Sequence, residues 1–448
     1  MNRSAWDTFG DAFMPVSVAI VGSGPAGFYT AGALLKSGAD VTIDIIERLP
    51  APYGLIRFGV APDHAKTKNV QAAYARTAED ERVRYFGNVE VGRDISVDEL
   101  REIYDAVVLA TGASVDRPLG IPGDDKAGIV GVAAFVGWYN GHPDFRDLDP
   151  PLDTSSVVVI GVGNVAVDVA RVLTKTPAEM AATDLTDYAA AAIHAAPITD
   201  VHMVGRRGPA QAKFSNVELR EMGQLANCAP VIDAGVIPDG APSDVSARDA
   251  RLIERNLATL RDFAALDPGP REKRVHFVFR ASPVEILGGA RVEAVKFERT
   301  KVDADGRAVG LGEYYEISCG LVIPAIGYYS EPIEGVPFDT GRGRAESNDG
   351  LIEEGLYCVG WIKRGPSGVI GSNKPDGDKA AELILEAFPL GKKPGRSALV
   401  QLLAERGVRV VDFDAWKKID AAETAAATDG APRAKLTRID DMLAVLDG

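Results

Sequence analysis

Short apolar runs that end in glycine-rich turns recur along this chain, and they predict buried parallel strands. The first run, Val18–Val21, leads into the turn Gly22-Ser23-Gly24-Pro25-Ala26-Gly27 and then into an apolar stretch over Phe28–Lys36. An uninterrupted apolar run of this length is typical of a strand covered on both faces. The pattern therefore predicts a strand, a tight turn and a helix in direct succession.

The turn has the spacing that binds a dinucleotide. Gly22 permits the tight turn, Gly24 lets the backbone approach a pyrophosphate, and Gly27 lets the helix pack closely on the strand. The helix N-terminus presents N–H groups and partial positive charge to phosphates. Glu47 ends the next apolar run, VTIDIIE, twenty residues after Gly27, where a carboxylate can accept hydrogen bonds from ribose hydroxyls. A plain tight turn is the alternative, but the full succession favours a dinucleotide site.

The same succession occurs again in the middle of the chain. The run Val157–Ile160 precedes Gly161-Val162-Gly163-Asn164-Val165-Ala166 and a helix to Leu173, and a strand over Asp200–Val204 ends in Gly205-Arg206-Arg207. Two cations stand where the first unit has an acid. Arginine can bind a ribose 2′-phosphate that a carboxylate would repel. A solvated basic turn is the alternative, and the second glycine motif favours NADP.

The remaining apolar patterns predict further elements around these two units. Strands are expected over Asp105–Gly112, Val275–Phe279, Ala290–Phe297, Leu321–Ala325 and Glu354–Trp361. Helices are expected from a cap at Asp63 through Lys68 to Ala78, within Pro177–Ala196, over Val245–Ala264, from about Asp376 to Ala387, and in the tail after Lys392. The sequence thus predicts an α/β protein with two doubly wound, Rossmann-like dinucleotide-binding domains.

Composition and charge exclude several classes of function. The 448 residues suffice for two or three domains, and no apolar run reaches the eighteen residues of a membrane helix. Met1–Pro15 lacks the pattern of a targeting signal. The net charge of −15 disfavours nucleic acid or an anionic membrane as partner. Three isolated cysteines form no C-x-x-C and no metal-ligand spacing, so we expect a reducing cytoplasm.

Segments spread over most of the chain resemble the adrenodoxin reductase-type ferredoxin–NADP⁺ reductases, including their FprA-like bacterial branch. Between residues 16 and 374 they are VAIVGSGPAG, PYGLIRFGVAPDH, NVEVG, VIGVGNVAVDVAR, VGRRGP, FSNVELREM and VGWIKRGPSGVIGSNK, and WKKIDAAE follows near the C-terminus. The resemblance implies that FAD accepts hydride from NADPH and passes single electrons to an iron–sulfur protein. It also implies an NADP domain, residues 114–327, inserted into an FAD domain formed by residues 1–113 and 328–448.

The resemblance assigns residues to each cofactor, in addition to Gly24 and Gly27 of the first motif. For FAD it implies Gly22, Ala26, Glu47, Leu55, Val91, Trp361, Gly368, Val369 and Ile370. For NADP it implies Arg117, Gly163, Asn164, Val165, Arg206, Arg207, Glu218 and Gly368. Trp361 stands where many related flavoproteins carry an acid, and the family shares this difference. The N–H groups of 368–370 are expected to stabilise negative charge on reduced flavin, because a helix follows them.

The resemblance places His64 and Glu221 in the reaction centre. His64 is expected to orient groups or supply local charge, because hydride transfer to flavin needs no side-chain proton. Glu221 matches the family's acid near the nicotinamide. Glu218 fits two roles equally well. It matches the acid on the NADP ribose, and with Ser215 it also fits the capping-box pattern S-x-x-E.

A basic stripe is the candidate surface for the protein partner. Arg248, Arg251 and Arg255 recur at helical spacing within the predicted helix over 245–264. Such a stripe is usually a solvated face, yet on an acidic chain it is where an acidic ferredoxin would dock. Two rival enzymes need cysteine patterns that the sequence lacks: a disulfide reductase needs a redox C-x-x-C, and an electron-input subunit of the glutamate-synthase type needs an N-terminal cysteine cluster. A non-catalytic nucleotide-binding protein on the same scaffold is the alternative from a different class.

Overall fold

Two sheets, the first parallel except for its edge strand and the second entirely parallel, form the framework of the protein. The structure is a computed structural model that describes residues 14–428 and 430–448. The stretch in which the sequence shows no targeting signal therefore lies outside the described residues, apart from Met14 and Pro15.

The first sheet begins at the N-terminus, and its strands are almost completely buried. Its first part contains β1 (Val16–Val21), α1 (Pro25–Lys36), β2 (Val41–Glu47), α2 (Leu55–Phe58), α3 (Ala65–Lys68), α4 (Gln71–Ala78), β3 (Val83–Gly87), α5 (Val97–Ile103) and β4 (Ala106–Leu109). Every residue of β1 and β4 is buried. The continuous apolar runs of the sequence therefore lie between layers of helices, as the pattern predicts.

The second sheet is formed by the middle of the chain. This region contains β5 (Val115–Asp116), α6 (Val132–Asn140), β6 (Ser156–Ile160), α7 (Asn164–Thr174), α8 (Pro177–Met180), α9 (Asp187–Ala195), β7 (Asp200–Gly205), α10 (Asn216–Glu221), β8 (Cys228–Val231), α11 (Ala247–Ala264), β9 (Lys273–Phe279), β10 (Ala281–Leu287), β11 (Ala294–Val302), β12 (Ala308–Ser318) and β13 (Leu321–Pro324).

The chain then returns to the first sheet and ends in helices. This part contains β14 (Tyr328–Tyr329), β15 (Phe338–Asp339), β16 (Arg344–Ala345), β17 (Leu351–Glu353), β18 (Leu356–Cys358), α12 (Trp361–Arg364), α13 (Lys374–Ala387), α14 (Arg396–Glu405), α15 (Phe413–Ala425) and α16 (Ile439–Ala444). Strands β5 and β14 pair with each other where the chain leaves and re-enters the first sheet. The second sheet is thus inserted into the first, in agreement with the predicted fold class.

The strand order of each sheet indicates where a ligand can bind. The first sheet has the order β17-β18-β4-β1-β2-β3 and the second the order β13-β6-β7-β9-β8. In each sheet the next strands of the chain lie on one side of the strand before the glycine turn, and a later strand lies on its other side. A crevice therefore opens at the carboxyl ends of β1 and β4 and of β6 and β13. Ligands of doubly wound sheets bind at such switch points.

Several predicted boundaries were wrong. The helix expected from Asp63 to Ala78 is divided into α3 and α4, and its first cap position is His64. Asp63 cannot cap it, because Arg171 and Lys175 bind its carboxylate. The strand expected over 290–297 runs from Ala294 to Val302. The strand expected over 354–361 ends at Cys358, and a positive φ of +72° at Gly360 turns the chain into α12.

An antiparallel sheet of β10, β11 and β12 was not predicted as a unit. Strand β12 is mostly exposed and has two glycines, and β10 has a bulge after Pro283. Neither strand shows the alternation of apolar and polar residues that marks a half-buried strand.

The helix predicted over 245–264 begins at Ala247, and the helix predicted over 376–387 begins at Lys374. Both predictions are therefore confirmed with small shifts. None of the described helices is long and apolar enough to cross a membrane.

Candidate functional site

The first glycine turn leaves room for a ligand at one position and excludes side chains at two others. A Cβ built on Gly22, which has a φ of +108°, would lie 2.5 Å from the Ala110 carbonyl oxygen. A Cβ on Gly27 would lie 2.2 Å from the Gly22 carbonyl oxygen. No heavy atom lies within 4 Å of a Cβ built on Gly24. The turn therefore packs tightly on strand and helix and opens at Gly24, where a pyrophosphate fits.

Glu47 is held at the edge of this opening. Its Oε2 accepts hydrogen bonds from the Ser23 backbone N–H at 3.1 Å and hydroxyl at 2.7 Å. Its Oε1 accepts the Leu49 N–H at 3.2 Å. A carboxylate fixed beside the turn keeps lone pairs for the two hydroxyls of a ribose. The accepting carboxylate and the open position at Gly24 therefore fit an adenosine diphosphate.

Two loops border this turn. The Tyr53 N–H donates to the Ser23 carbonyl oxygen at 3.1 Å, and Leu55, which begins α2, is 42% exposed. Val91 is half-buried in the loop after β3, where the Val89 N–H donates to the Glu47 carbonyl oxygen. Leu55 thus lies on a segment that contacts the first turn, and Val91 lies on a segment that contacts the end of β2. Both present accessible apolar surface.

The late glycine loop lies beside the crossover strands. The Trp361 ring stacks on Tyr328 of β14 at a centroid distance of 5.8 Å, and its Nε1 donates to the Ser367 carbonyl oxygen. Gly368 has a φ of +86°, and Val369 is 68% exposed. The Val369 N–H donates to Ser372 Oγ at 3.0 Å. One of the N–H groups expected to stabilise reduced flavin is therefore already paired within the loop.

The second glycine turn repeats the geometry of the first. A Cβ on Gly161 would lie 2.4 Å from the Ala325 carbonyl oxygen, and a Cβ on Gly163 has no heavy atom within 4 Å. Asn164 and Val165 follow as the first residues of α7, and Asn164 Oδ1 accepts the Ser215 N–H at 2.7 Å. This turn fits a second pyrophosphate, again at a switch point of the sheet.

Arg206 and Arg207 follow directly after β7, and their backbone is fixed. The Arg206 carbonyl oxygen accepts the Thr300 hydroxyl at 2.6 Å, and the Arg207 carbonyl oxygen accepts the Arg280 N–H at 3.0 Å. Arg206 is exposed and Arg207 half-buried. Neither side chain pairs with any acid within residues 14–428 or 430–448. Two unpaired guanidinium groups at a strand end fit an additional phosphate.

Arg117 lies at the crossover between the two sheets. Its Nε donates to the Tyr329 hydroxyl at 2.8 Å, and its guanidinium carbon lies 5.0 Å from the centre of that ring. Because β5 pairs with β14, this arginine is near the Tyr328–Trp361 stack. Arg117, one of the NADP residues implied by the resemblance, therefore lies at the crossover.

The structure brings His64 together with both candidate carboxylates. His64 Nε2 lies 3.0 Å from Glu221 Oε2 and 3.2 Å from Glu218 Oε2. His64 belongs to the segment after α2, and both glutamates belong to α10. The first and second dinucleotide units therefore meet at these three side chains.

The two roles considered for Glu218 are separated by this geometry. Ser215 Oγ accepts the Glu218 N–H at 3.3 Å, which is half of a capping box. The other half is absent, because the Ser215 N–H donates to Asn164. The Glu218 carboxylate instead points at His64 and at Arg171 Nη1, 3.6 Å away. Of the two roles left open for Glu218, the complete capping box is therefore not formed.

Arg171 was missed by the sequence reasoning and organises this site. It is fully buried, and it donates to Asp63 from Nε at 2.7 Å and from Nη2 at 3.0 Å. Nη2 also donates to Asp168 at 2.8 Å, while Nη1 makes no hydrogen bond and lies 3.5 Å from Glu221 Oε2. A pair of charges three residues apart on the otherwise apolar helix VAVDVARVL was the signal that could have revealed it.

Burial raises the pKa values of the acids around Arg171, and the neighbouring cations lower them. Burial disfavours ionised Asp63, yet the hydrogen bonds and charges of Arg171 and Lys175 hold the pKa of its carboxyl well below the usual value. Burial raises the pKa of Asp168 despite the guanidinium beside it. Burial, and next the charge of Asp168, raise the pKa of Glu218. The site thus holds one firmly ionised acid and two that accept a proton more readily.

The basic stripe lies on the outer face of α11. Arg248, Arg251 and Arg255 are exposed, and none of them pairs with an acid in the part of the chain that the structure describes. Helix α11 packs on α10, where Asn216 Nδ2 donates to the Arg255 carbonyl oxygen at 3.1 Å. One helix therefore separates the stripe from the His64–Glu221 contact.

The three cysteines do not form a redox pair. Cys228, Cys319 and Cys358 are buried free thiols. Burial raises the pKa of Cys228 to about 11 and that of Cys319 to about 12. Thiols that stay protonated are poor nucleophiles, so they cannot supply the dithiol of a disulfide reductase.

Known proteins share this arrangement. Residues 16–207, which hold both glycine turns, match the family model of pyridine nucleotide-disulphide oxidoreductases. The chain is 40% identical to NADPH-ferredoxin reductase FprA of Mycobacterium tuberculosis, over 96% of this chain and 99% of that protein. It is 42% identical to human mitochondrial NADPH:adrenodoxin oxidoreductase, over 96% and 91%.

A solved structure has the same fold over nearly the whole chain. Mycobacterium tuberculosis FprA in complex with NADPH superposes with a TM-score of 0.93 at 40% identity, covering 97% of this chain and all of that one. The protein belongs to the family of NADPH-ferredoxin and NADPH:adrenodoxin reductases.

Proposed function

We propose that this protein is an FAD-dependent reductase that takes hydride from NADPH and passes electrons one at a time to a ferredoxin-type iron–sulfur protein. The observation that carries the proposal is the meeting of two dinucleotide units at His64, Glu218 and Glu221. Each unit has an open glycine at a switch point. The second also has arginines that fit a 2′-phosphate.

FAD is assigned to the first turn. Gly22, Gly24, Ala26, Gly27 and Glu47 hold the adenosine diphosphate, and Leu55, Val91, Trp361, Gly368, Val369 and Ile370 are assigned to its remaining length. When bound, a flavin accepts a hydride and releases electrons singly. The chain's part is to orient it, and the Trp361–Tyr328 stack holds the late loop against the crossover strands.

NADP is assigned to the second turn. Gly163, Asn164 and Val165 face the pyrophosphate, Arg206 and Arg207 bind the 2′-phosphate, and Arg117, Glu218 and Gly368 contribute contacts. Glu221 and His64 are the groups assigned to the reaction centre, where they orient the nicotinamide. Because Asp63 precedes His64 and is clamped by Arg171 of α7, the imidazole is positioned by both units.

An acidic ferredoxin is the proposed acceptor, with Arg248, Arg251 and Arg255 as its docking face. These cations are exposed on a chain of net charge −15. A local basic face attracts an acidic partner at contact. The contact between α11 and α10 places this face one helix from the reaction centre.

We further propose a reducing cytoplasmic setting, since the three thiols are unpaired. We also propose that the FAD domain consists of residues 1–113 and 328–448 and the NADP domain of residues 114–327.

One experiment tests the function. The purified protein is expected to show flavin absorbance, to lose it on addition of NADPH without oxygen, and to reduce cytochrome c only when a ferredoxin is added. Failure to bind added FAD contradicts the proposal. A protein that binds both nucleotides but is not bleached by NADPH is instead a non-catalytic nucleotide-binding protein.

A further inference from the structure

Four cations surround the end of β7, and sequence analysis named only two of them. Arg206 and Arg207 follow β7, Arg280 follows β9, and Lys301 lies on β11. Among the described residues none of the four forms an ion pair or a side-chain hydrogen bond. On a chain with 64 acidic and 49 basic residues, four unpaired cations at one place call for an anionic ligand.

The backbone ties Arg280 to the loop that carries the two known arginines. Its N–H donates to the Arg207 carbonyl oxygen at 3.0 Å, and its own carbonyl oxygen accepts the Thr300 N–H at 2.8 Å. The Thr300 hydroxyl in turn binds the Arg206 carbonyl oxygen. Strands β7 and β9 pair in parallel up to Gly205 and Phe279. Their carboxyl ends therefore present arginines side by side.

A cavity opens where the Arg280 side chain lies. It has a volume of about 410 Å³, and its walls include Gly208, Gln211, Pro238, Pro242, Arg280 and Lys301. The Arg280 Nε lies 3.8 Å from the position of a Cβ built on Gly208, the residue after Arg207. Two cations and no acid line the cavity, and its size is that of a small-molecule subsite.

The backbone conformation of Arg280 is one that glycine adopts more easily. Its φ is +57°, a left-handed value that is strained for any residue other than glycine. A long cation held in such a conformation next to a ligand turn is typical of a functional position. The same feature offers a clean variant, because glycine removes the side chain and relieves the strain.

We propose that Arg280 is a further specificity-determining residue that binds the 2′-phosphate of NADPH together with Arg206 and Arg207, with Lys301 on the same wall. The inference rests on the proposed function and refines it. A phosphate dianion offers three oxygens, so it can accept hydrogen bonds from more than two guanidinium groups. Discrimination between NADPH and NADH is thereby shared between the ends of two adjacent strands.

The test is calorimetric titration of the FAD-loaded protein with two fragments, adenosine 2′,5′-bisphosphate and 5′-AMP. The variants are Arg280→Gly and Arg280→Gln, with Arg299→Gln as the matched control, since Arg299 is exposed on β11 outside the cavity walls. We expect the preference for the bisphosphate to fall about tenfold in both Arg280 variants, as for one lost charged hydrogen bond. The control is expected to keep it. Thermal unfolding is expected to show Arg280→Gly at least as stable as the parent.

The outcomes separate this inference from the proposed function. If the Arg206/Arg207 double variant loses the preference and the Arg280 variants keep it, the inference is wrong and the function stands. If the Arg280 variants bind both fragments more weakly by the same factor, Arg280 contacts adenine or maintains the loop conformation. The inference is then again wrong. If the parent protein itself shows no preference for the bisphosphate, the NADPH assignment is overturned.

Discussion

His64 Nε2 and Glu221 Oε2 lie 3.0 Å apart across 157 residues of sequence. The imidazole belongs to the first dinucleotide unit and the carboxylate to the second. This contact therefore reports directly on how the two units are placed relative to each other. The neighbouring Asp63–Arg171 ion pair, which is almost fully buried, holds the same two units together.

The first prediction concerns coupling between His64 and Glu221. The variants His64→Gln and Glu221→Gln are each expected to slow flavin reduction by NADPH, because each leaves the other group without its partner. The double variant is expected to lose less than the product of the single effects, with a coupling of about 1 kcal/mol. Stopped-flow absorbance of the flavin measures all four proteins. Strictly multiplicative effects would show that the two side chains act independently.

The second prediction concerns Arg171. The variant Arg171→Met leaves Asp168 without its cation and Asp63 with Lys175 alone, which is expected to cost about 3–5 kcal/mol of unfolding free energy. Urea unfolding measures it. Adding Asp63→Asn and Asp168→Asn is expected to recover part of the loss, since the uncompensated charges are then gone. Arg220→Met, at an exposed position on α10, is the control and is expected to change stability by about 0.5 kcal/mol or less. A loss that the asparagines do not reduce would mean that packing dominates.

The third prediction concerns the cofactor preference. The double variant Arg206→Ala and Arg207→Ala is expected to raise KM for NADPH about tenfold or more for each charged hydrogen bond lost. NADH lacks the 2′-phosphate, so its KM is expected to change little. Steady-state reduction of ferricyanide with each cofactor measures the two values. Equal weakening toward both cofactors would assign the arginines a structural role only.

The fourth prediction concerns the docking face. Reversing Arg251 and Arg255 to Glu is expected to slow ferredoxin reduction, mainly through association, and to flatten its salt dependence. Salt screens interactions between charges more than about 8 Å apart at physiological ionic strength. The arginines in contact with the partner therefore affect its binding more than the distant carboxylates do. Ferricyanide reduction, which needs no docked protein, serves as the control. A reversed variant that reduces ferredoxin as fast as the parent at low salt would leave the stripe as a solvated face.

The fifth prediction concerns stability at acidic pH. His142 packs against Phe58 and Phe145, and its Nδ1 accepts the Asp144 N–H. Burial lowers the pKa of His142 from 6.5 to about 4. Since the folded state disfavours the charged ring, the stability from this group is complete above pH 6.5 and is lost as the pH falls toward 4.

Comparison with His142→Asn isolates this effect, because asparagine keeps an acceptor at the cap and does not titrate. Between about pH 7 and 5 the parent is expected to lose about 2 kcal/mol more unfolding free energy than the variant. Urea unfolding at both pH values measures the difference. Parallel pH profiles of the two proteins would contradict the assigned shift.

The two dinucleotide units could be predicted from sequence because their signals are local. An apolar strand, a glycine turn and a helix occupy one continuous stretch, and the residue at the end of the next strand is reached through fixed spacing. Gly24 and Gly163 are open and Gly22 and Gly161 are in close contact with a neighbouring strand, as the motif requires. The acid Glu47 and the cation Arg206 at equivalent strand ends likewise predict different nucleotides without any knowledge of the fold.

The tertiary structure alone decided which distant charges meet. Asp63 has the sequence features of a helix cap, yet the buried Arg171 takes its carboxylate, and α3 begins without it. Glu218 matches a capping box, yet its side chain turns toward His64. In both cases a charge in a low-dielectric interior gains more from an opposite charge than from a local backbone N–H. The local sequence pattern predicts hydrogen-bond partners that lie within one helical turn. Burial in the tertiary structure decides whether a charged side chain binds such a partner or an opposite charge that is distant in sequence.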